Sequence, residues 1–175
     1  MGRTRRVTRV SMASKQAVFC ARWEASLVGS KVIDTQHLLV GLIRVDPAAL
    51  RLTAQRITLN SVREAAHRWD TLGDKVPTSV DMPLSNDLKW VFKDALALAE
   101  VHKSSLVRTE HLLLALMTVN SCHAAEILRE AGAALSRLEQ LVSGLANGEQ
   151  DANPSWSEGL EDFFGHAEAH IRPIS

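Results

Sequence analysis

Cysteine is scarce: Cys20 and Cys122 stand far apart, with no Cys-x-x-Cys or Cys/His spacing. That argues against a disulfide framework or a zinc ligand set and suits a reducing cytoplasm. No charge of one sign prevails, since 20 Lys and Arg face 20 Asp and Glu. A global field that would draw in nucleic acid or an anionic membrane is therefore missing. No apolar run approaches the roughly 18 residues of a membrane span, and no apolar core of a signal peptide follows the basic start. The sequence also has no Gly-x-x-x-x-Gly-Lys-Ser/Thr loop to cradle phosphates, no nucleophile elbow and no zinc-protease signature. These absences point away from an enzyme and from a bound cofactor.

What is present is an ordinary globular composition, 46% hydrophobic and 23% charged over 175 residues. Such a length buries about two thirds of the surface of its unfolded chain, enough for a core without metal or disulfide. Charge gathers at the ends. Arg3, Arg5, Arg6 and Arg9 make residues 1–10 a basic arm, and residues 147–175 carry Glu149, Asp151, Glu158, Glu161, Asp162 and Glu168 against Arg172. Both read as solvated tails. No acid precedes Glu24, as in transit peptides, but an apolar pattern that belongs to the folded part already starts near Ser11. A cytoplasmic protein is expected.

The sequence repeats itself. Thr35-Gln36-His37-Leu38-Leu39 returns as Thr109-Glu110-His111-Leu112-Leu113, and at the same step Ser11 matches Ser85 and Ala25 matches Ala99. Ser61 with Glu64 returns as Ser136 with Glu139, a step longer by one place. The chain is thus two copies of one unit: repeat one 11–70, linker 71–84, repeat two 85–146. The linker is rich in turn formers and has no periodicity.

Each unit reads as four helices. Ala17, Ala21, Ala25 and Val28 form an apolar stripe, and Gly29 supplies a left-handed stop. Thr35 and Thr109 stand where a capping oxygen is wanted, ahead of Leu-rich runs that are apolar nearly all round and so form the most buried helix of each half. Pro47 suits the first turn of a third helix, Gly132 the end of its counterpart, and the two Ser-x-x-Glu pairs read as capping boxes opening a fourth. The expected fold is all-α, an eight-helix pseudo-twofold double repeat of a four-helix unit, with no strands.

An Ala-rich first helix, a Gly-containing loop, Thr-x-His-Leu-Leu and two further helices, all written twice, resemble the Clp amino-terminal repeat domain over roughly residues 11–146. The resemblance is to that domain free-standing, without the ATPase modules of the Clp unfoldases. It implies a protein-binding module for protein segments or adaptor proteins that modulates Clp-dependent proteolysis. A Clp ATPase or the protease core is a further implied partner class, and a structural accessory subunit docked on that core is the alternative. Nucleic acid and membrane are not implied. Some members of the family recognise phosphorylated arginine with an acid directly after each repeated Thr and a hydroxyl near the start of each first helix. By position those are Ser11, Gln36, Ser85 and Glu110. Glu110 keeps a carboxylate that can pair bidentately with a guanidinium and Ser85 keeps a hydroxyl, so the second half retains the electrostatics that Gln36 removes from the first.

Other features have structural readings. His37 and His111 recur beside apolar runs, as packed histidines bonded to backbone do. His166 and His170 share an i, i+4 face, but no third ligand accompanies them, and no metal is expected. Cys20 and Cys122 read as small packed thiols. Trp23, Trp69, Trp90 and Trp156 do not recur between the repeats, so they are no aromatic ladder for nucleic acid. After Asn147 the composition suggests loss of order, and the alternative reading is that Trp156, Leu160, Phe163 and Phe164 make an amphipathic docking segment in an acidic setting.

Overall fold

A computed structural model describes residues 9–48, 57–77, 79–119 and 122–144. Ser11 opens helix α1 (Met12–Leu27), its hydroxyl accepting the Ser14 N–H at 3.1 Å. Ala17, Ala21, Ala25 and Val28 are all buried. The helix ends in Gly29 at φ +71°, which lets the Ser30 N–H turn back to the Ala25 carbonyl at 3.0 Å. Helix α2 (Thr35–Val45) is buried without a break from Thr35 to Ile43, because it packs on α1 and also on helices of the other half. Helix α3 (Leu59–Ala66) closes the first half. Glu24 on α1 is buried, accepts two hydrogen bonds from Arg63 of α3 at 3.0 and 2.6 Å and one from Arg44 of α2 at 3.1 Å, and so ties these three helices together.

The second half repeats this plan with α4 (Asn86–Val101), α5 (Thr109–Thr118), α6 (His123–Glu130) and α7 (Leu135–Gly144). Ser85 caps α4 as Ser11 caps α1. The position of Gly29 is taken by Lys103, also in the left-handed region at φ 54°, and Gly132 ends α6 at φ +74°. The fold is all-α, with seven helices among the described residues. In the first half Pro47 and Ala48 are helical, as a third helix opening at Pro47 requires, and the remainder of that expected helix lies outside the described residues.

Two expectations about helix starts are corrected. Asp34, not Thr35, caps α2, and Arg108 holds the same position before α5, which shifts both threonines into the first turn. Thr58, not Ser61, caps α3, with Ser61 closing the box three places on. Ser136 likewise lies inside the first turn of α7, where the Ala134 carbonyl receives the first helical N–H groups. The absence of strands also needs correction. β1 (Arg9–Val10) and β2 (Leu106–Val107) form a short parallel pair.

That pairing shows how the halves are joined. The Ser11 N–H donates to the Val107 carbonyl at 2.9 Å, and at the equivalent place in the second half the Ser85 N–H donates to the Ile33 carbonyl at 2.9 Å. Ile33 and Leu84 make the bridge corresponding to Val10 and Val107. Each first helix is therefore anchored on the segment that precedes the second helix of the other half.

Candidate binding sites at the junction of the repeats

The crossed anchoring decides which predicted residues meet. Ser85 and Glu110 belong to one half in sequence, yet the Ser85 hydroxyl donates to Asp34 Oδ1 of the first half at 2.7 Å. Ser11 in turn lies against Val107, ahead of Thr109 and Glu110. The residues thus sort into one junction around Ser85 with Gln36 and another around Ser11 with Glu110. The Ser85 hydroxyl is engaged by the first half of the chain.

At the first junction Asp34 Oδ1 also accepts the Thr35 N–H at 2.7 Å. Gln36 is 2% exposed, and its amide bridges outward, Nε2 donating to Asp70 Oδ1 at 3.3 Å and Oε1 lying 3.2 Å from His123 Nδ1. An amide oxygen only accepts, so His123 Nδ1 carries the proton of this bond. It also points at Asp34 Oδ2, 3.5 Å away. The His37 ring accepts the Asp34 N–H on Nδ1 at 3.0 Å, which leaves Nε2 to donate to Asp70 Oδ1 at 3.0 Å. Burial pushes the Asp70 carboxyl up, but the hydrogen bonds from His37 and Gln36 hold it below the usual carboxylate range. Trp69 stacks on His123 with ring centroids 4.8 Å apart, and Arg68 lies over the Trp69 ring while pairing with Glu130 at 3.0 and 2.7 Å.

Gln36 removes one charge from this junction, yet Asp34 and Asp70 supply two carboxylates beside it. The signal for Asp34 was present in the sequence as a capping residue one place before Thr35. Asp70 and His123 had none, because one lies in the loop after α3 and the other on a helix of the second half. Thr35, buried, has its own use there: its hydroxyl accepts the Ala124 N–H at 3.3 Å and so holds the start of α6.

The second junction is simpler. The Ser11 hydroxyl is buried and shared with Ser14 at 3.0 Å, and the Ser14 hydroxyl donates to the Val107 carbonyl at 3.1 Å. Thr109 Oγ1 sits 2.9 Å from Asp46 Oδ2 and 3.2 Å from Glu110 Oε2. Glu110 is partly exposed in the first turn of α5, where the helix dipole favours an anion. Among the four predicted residues, it presents a carboxylate that an incoming guanidinium or ammonium can reach. His111 accepts the Arg108 N–H on Nδ1 at 3.0 Å and is fully buried, the backbone-bonded histidine expected. Cys122 is buried too, its thiol pushed up chiefly by desolvation and donating to the Leu116 carbonyl at 3.3 Å, in keeping with an inert packed role. Trp156, His166 and His170 lie outside the described residues. Among the described residues no group of three His, Cys, Asp or Glu side chains could hold a metal ion.

The family model described as the Clp repeat (R) N-terminal domain matches residues 9–131 and, in a second copy, 83–172. The chain belongs to this family. The Clp N-domain is a binding domain for substrates and adaptors of Clp unfoldases and is not itself catalytic. Chloroplastic chaperone protein ClpD of Arabidopsis thaliana is 29% identical over 134 residues, covering 70% of this chain and 14% of the relative. Chloroplastic ClpD1 of rice is 30% identical over 135 residues, covering 73% and 14%. The negative regulator of genetic competence ClpC/MecB of Bacillus subtilis is 26% identical, covering 77% and 16%. The chain therefore spans about a seventh of the length of these relatives. The crystal structure of the ClpD N-terminal domain from Arabidopsis thaliana is similar at TM-score 0.62 and 29% identity, covering 79% of this chain and 94% of that one. The Candida albicans Hsp104 N-terminal domain shares the fold at TM-score 0.62 and 18% identity, covering 81% and 94%. No single helix among the described residues is long and apolar enough to cross a membrane.

Proposed function

We propose that this Clp N-domain is a non-enzymatic recognition module that modulates Clp-dependent proteolysis by holding a protein segment or adaptor at the junction of its repeats. Residues 11–146 form the module, and residues 1–10 and 147–175 flank it. The observation that carries the reading is the state of Glu110, a partly exposed carboxylate at a helix N-terminus. Such a group binds a guanidinium through two parallel charge-assisted hydrogen bonds. Gln36, Ser85 and Ser11 have their polar atoms engaged within the protein, so they shape the junctions while Glu110 makes the contact.

Glu110→Ala removes the contact without touching the core. Affinity capture from a lysate with the tagged chain is expected to retain a defined set of proteins, with recovery of that set reduced roughly tenfold for Glu110→Ala, the loss of one such contact, at an unchanged melting temperature. Equal recovery by both chains would show that the ligand sits elsewhere.

A further inference from the structure

Helix α1 turns a second apolar face outward. Phe19, Trp23 and Leu27 follow each other at four-residue spacing and so line one side of the helix, with 72%, 36% and 44% of their surface exposed. The repeat fold does not require this. The equivalent positions on α4 are Lys93, Ala97 and Val101, so the stripe is a property of the first half alone. Beside Phe19 a cleft of about 290 Å³ opens between α1 and the linker, with Val18, Ile33 and Met82 on its walls. Lys15 and Arg22 also line it, against the one carboxylate of Asp81. Arg22 Nη2 donates to the Pro77 and Val80 carbonyls at 3.2 and 2.7 Å, whereas Nη1 has no hydrogen-bond partner among the described residues. Lys75 adds a cation 4.4 Å from the centroid of the Trp23 ring. The stripe is apolar with a cationic border.

The chain itself contains a segment of complementary chemistry. In the sequence Trp156, Leu160, Phe163 and Phe164 recur at i, i+4, i+7 and i+8, and the positions between them include Glu158, Glu161 and Asp162. This segment lies outside the described residues. The stretch from Gly144 to Trp156 reaches about 40 Å when extended, against a radius of gyration of about 14 Å for a domain of this size. We infer that residues 156–164 dock in cis on the Phe19, Trp23 and Leu27 face of α1, their carboxylates directed to Arg22 and Lys75. Burying both apolar stripes against each other removes from water two surfaces that neither half of the contact can hide alone. The inference is independent of the role given to Glu110.

Hydrogen–deuterium exchange of the full chain tests it. Amides of residues 155–165 are expected to exchange at least roughly tenfold more slowly than an unstructured peptide, equally at low and high protein concentration. Phe19→Glu should abolish that protection with the circular dichroism of the domain unchanged. Leu27→Glu, at the other end of the stripe, should do the same and serves where the first variant folds poorly. Unprotected amides in the unaltered chain would overturn the inference, as would protection that survives both variants. Protection that grows with concentration, together with a dimer in sedimentation, would assign the stripe to contacts between copies and overturn docking in cis.

Discussion

Gly41→Ala is expected to destabilise the domain by about 2–3 kcal/mol, although alanine is the better helix former by nearly 1 kcal/mol. Gly41 lies within α2 among buried neighbours. A Cβ there would run into the Ala17 carbonyl oxygen and lie 3.0 Å from the Ala21 nitrogen. Both are backbone atoms of α1, so no side chain can swing aside and one helix must move away from the other. The displacement would spread to Leu38, Leu39 and Leu42, each at most 1% exposed and each worth about 2 kcal/mol of burial. The equivalent residue of the second half is Ala115, fully buried, so α5 accommodates the methyl group that α2 excludes. Urea denaturation should show a lower midpoint for Gly41→Ala at an unchanged slope. A neutral or stabilising result would mean that α1 and α2 do not approach so closely.

Acid should weaken the domain by about 3 kcal/mol through His111 alone between pH 6.5 and about 4. Desolvation lowers the pKa of this ring from 6.5 to about 4, with the charges of His102 and Arg108 adding to the effect. The folded state therefore holds the ring neutral while the unfolded chain takes up a proton, and stability rises with pH across that window. It is fully present above 6.5 and lost as pH falls toward 4. The cause is visible in the comparison with His37. Both rings accept a backbone N–H on Nδ1, but His37 Nε2 donates to Asp70, whereas His111 Nε2 is buried with no hydrogen-bond partner among the described residues. By the longer step at which Ser61 returns as Ser136, the position equivalent to Asp70 is Leu145, which offers no carboxylate. His111→Gln keeps an acceptor for the Arg108 N–H and removes the titration. Its unfolding free energy should vary between pH 7 and pH 4.5 by about 2 kcal/mol less than that of the unaltered chain. Identical pH profiles would contradict a neutral buried His111.

Duplication was the most legible feature of the sequence, and the structure repeats it in the capping of the first helices and in the bonds that join the halves. The Ser14 and Leu88 N–H groups, at equivalent positions of the two halves, both donate to a capping serine at 3.1 Å. The left-handed glycines at 29 and 132 could be read because a left-handed residue at a helix end favours glycine. Helix starts were read less well. Thr35 and Thr109 look like caps in one dimension, yet each spends its hydroxyl on the opposite half, on Ala124 and Asp46, and that demand exists only once the halves are packed. For α3 the signal was present but displaced, since Thr58 with Ser61 forms the box that Ser61 with Glu64 imitates. The candidate sites were half legible. Ser11, Gln36, Ser85 and Glu110 were named by position from the family resemblance, and neither that nor the periodicity records which half faces which. The exchange that brings Ser85 to Asp34, and the inclusion of Asp70 and His123, follow from the parallel pairing of β1 with β2 and its counterpart between Ile33 and Leu84.

We propose that recognition of an incoming cationic side chain at the crossed junction depends on Glu110. The direct measurement is an NMR titration of the isotopically labelled chain with three short peptides of one sequence, bearing phosphoarginine, arginine or norleucine at the central position. The predicted result is amide shifts centred on Ser11, Val107 and Glu110 with the phosphoarginine or arginine peptide, and their loss in Glu110→Gln. Shifts that are equal for the norleucine peptide, or unchanged in Glu110→Gln, would contradict it.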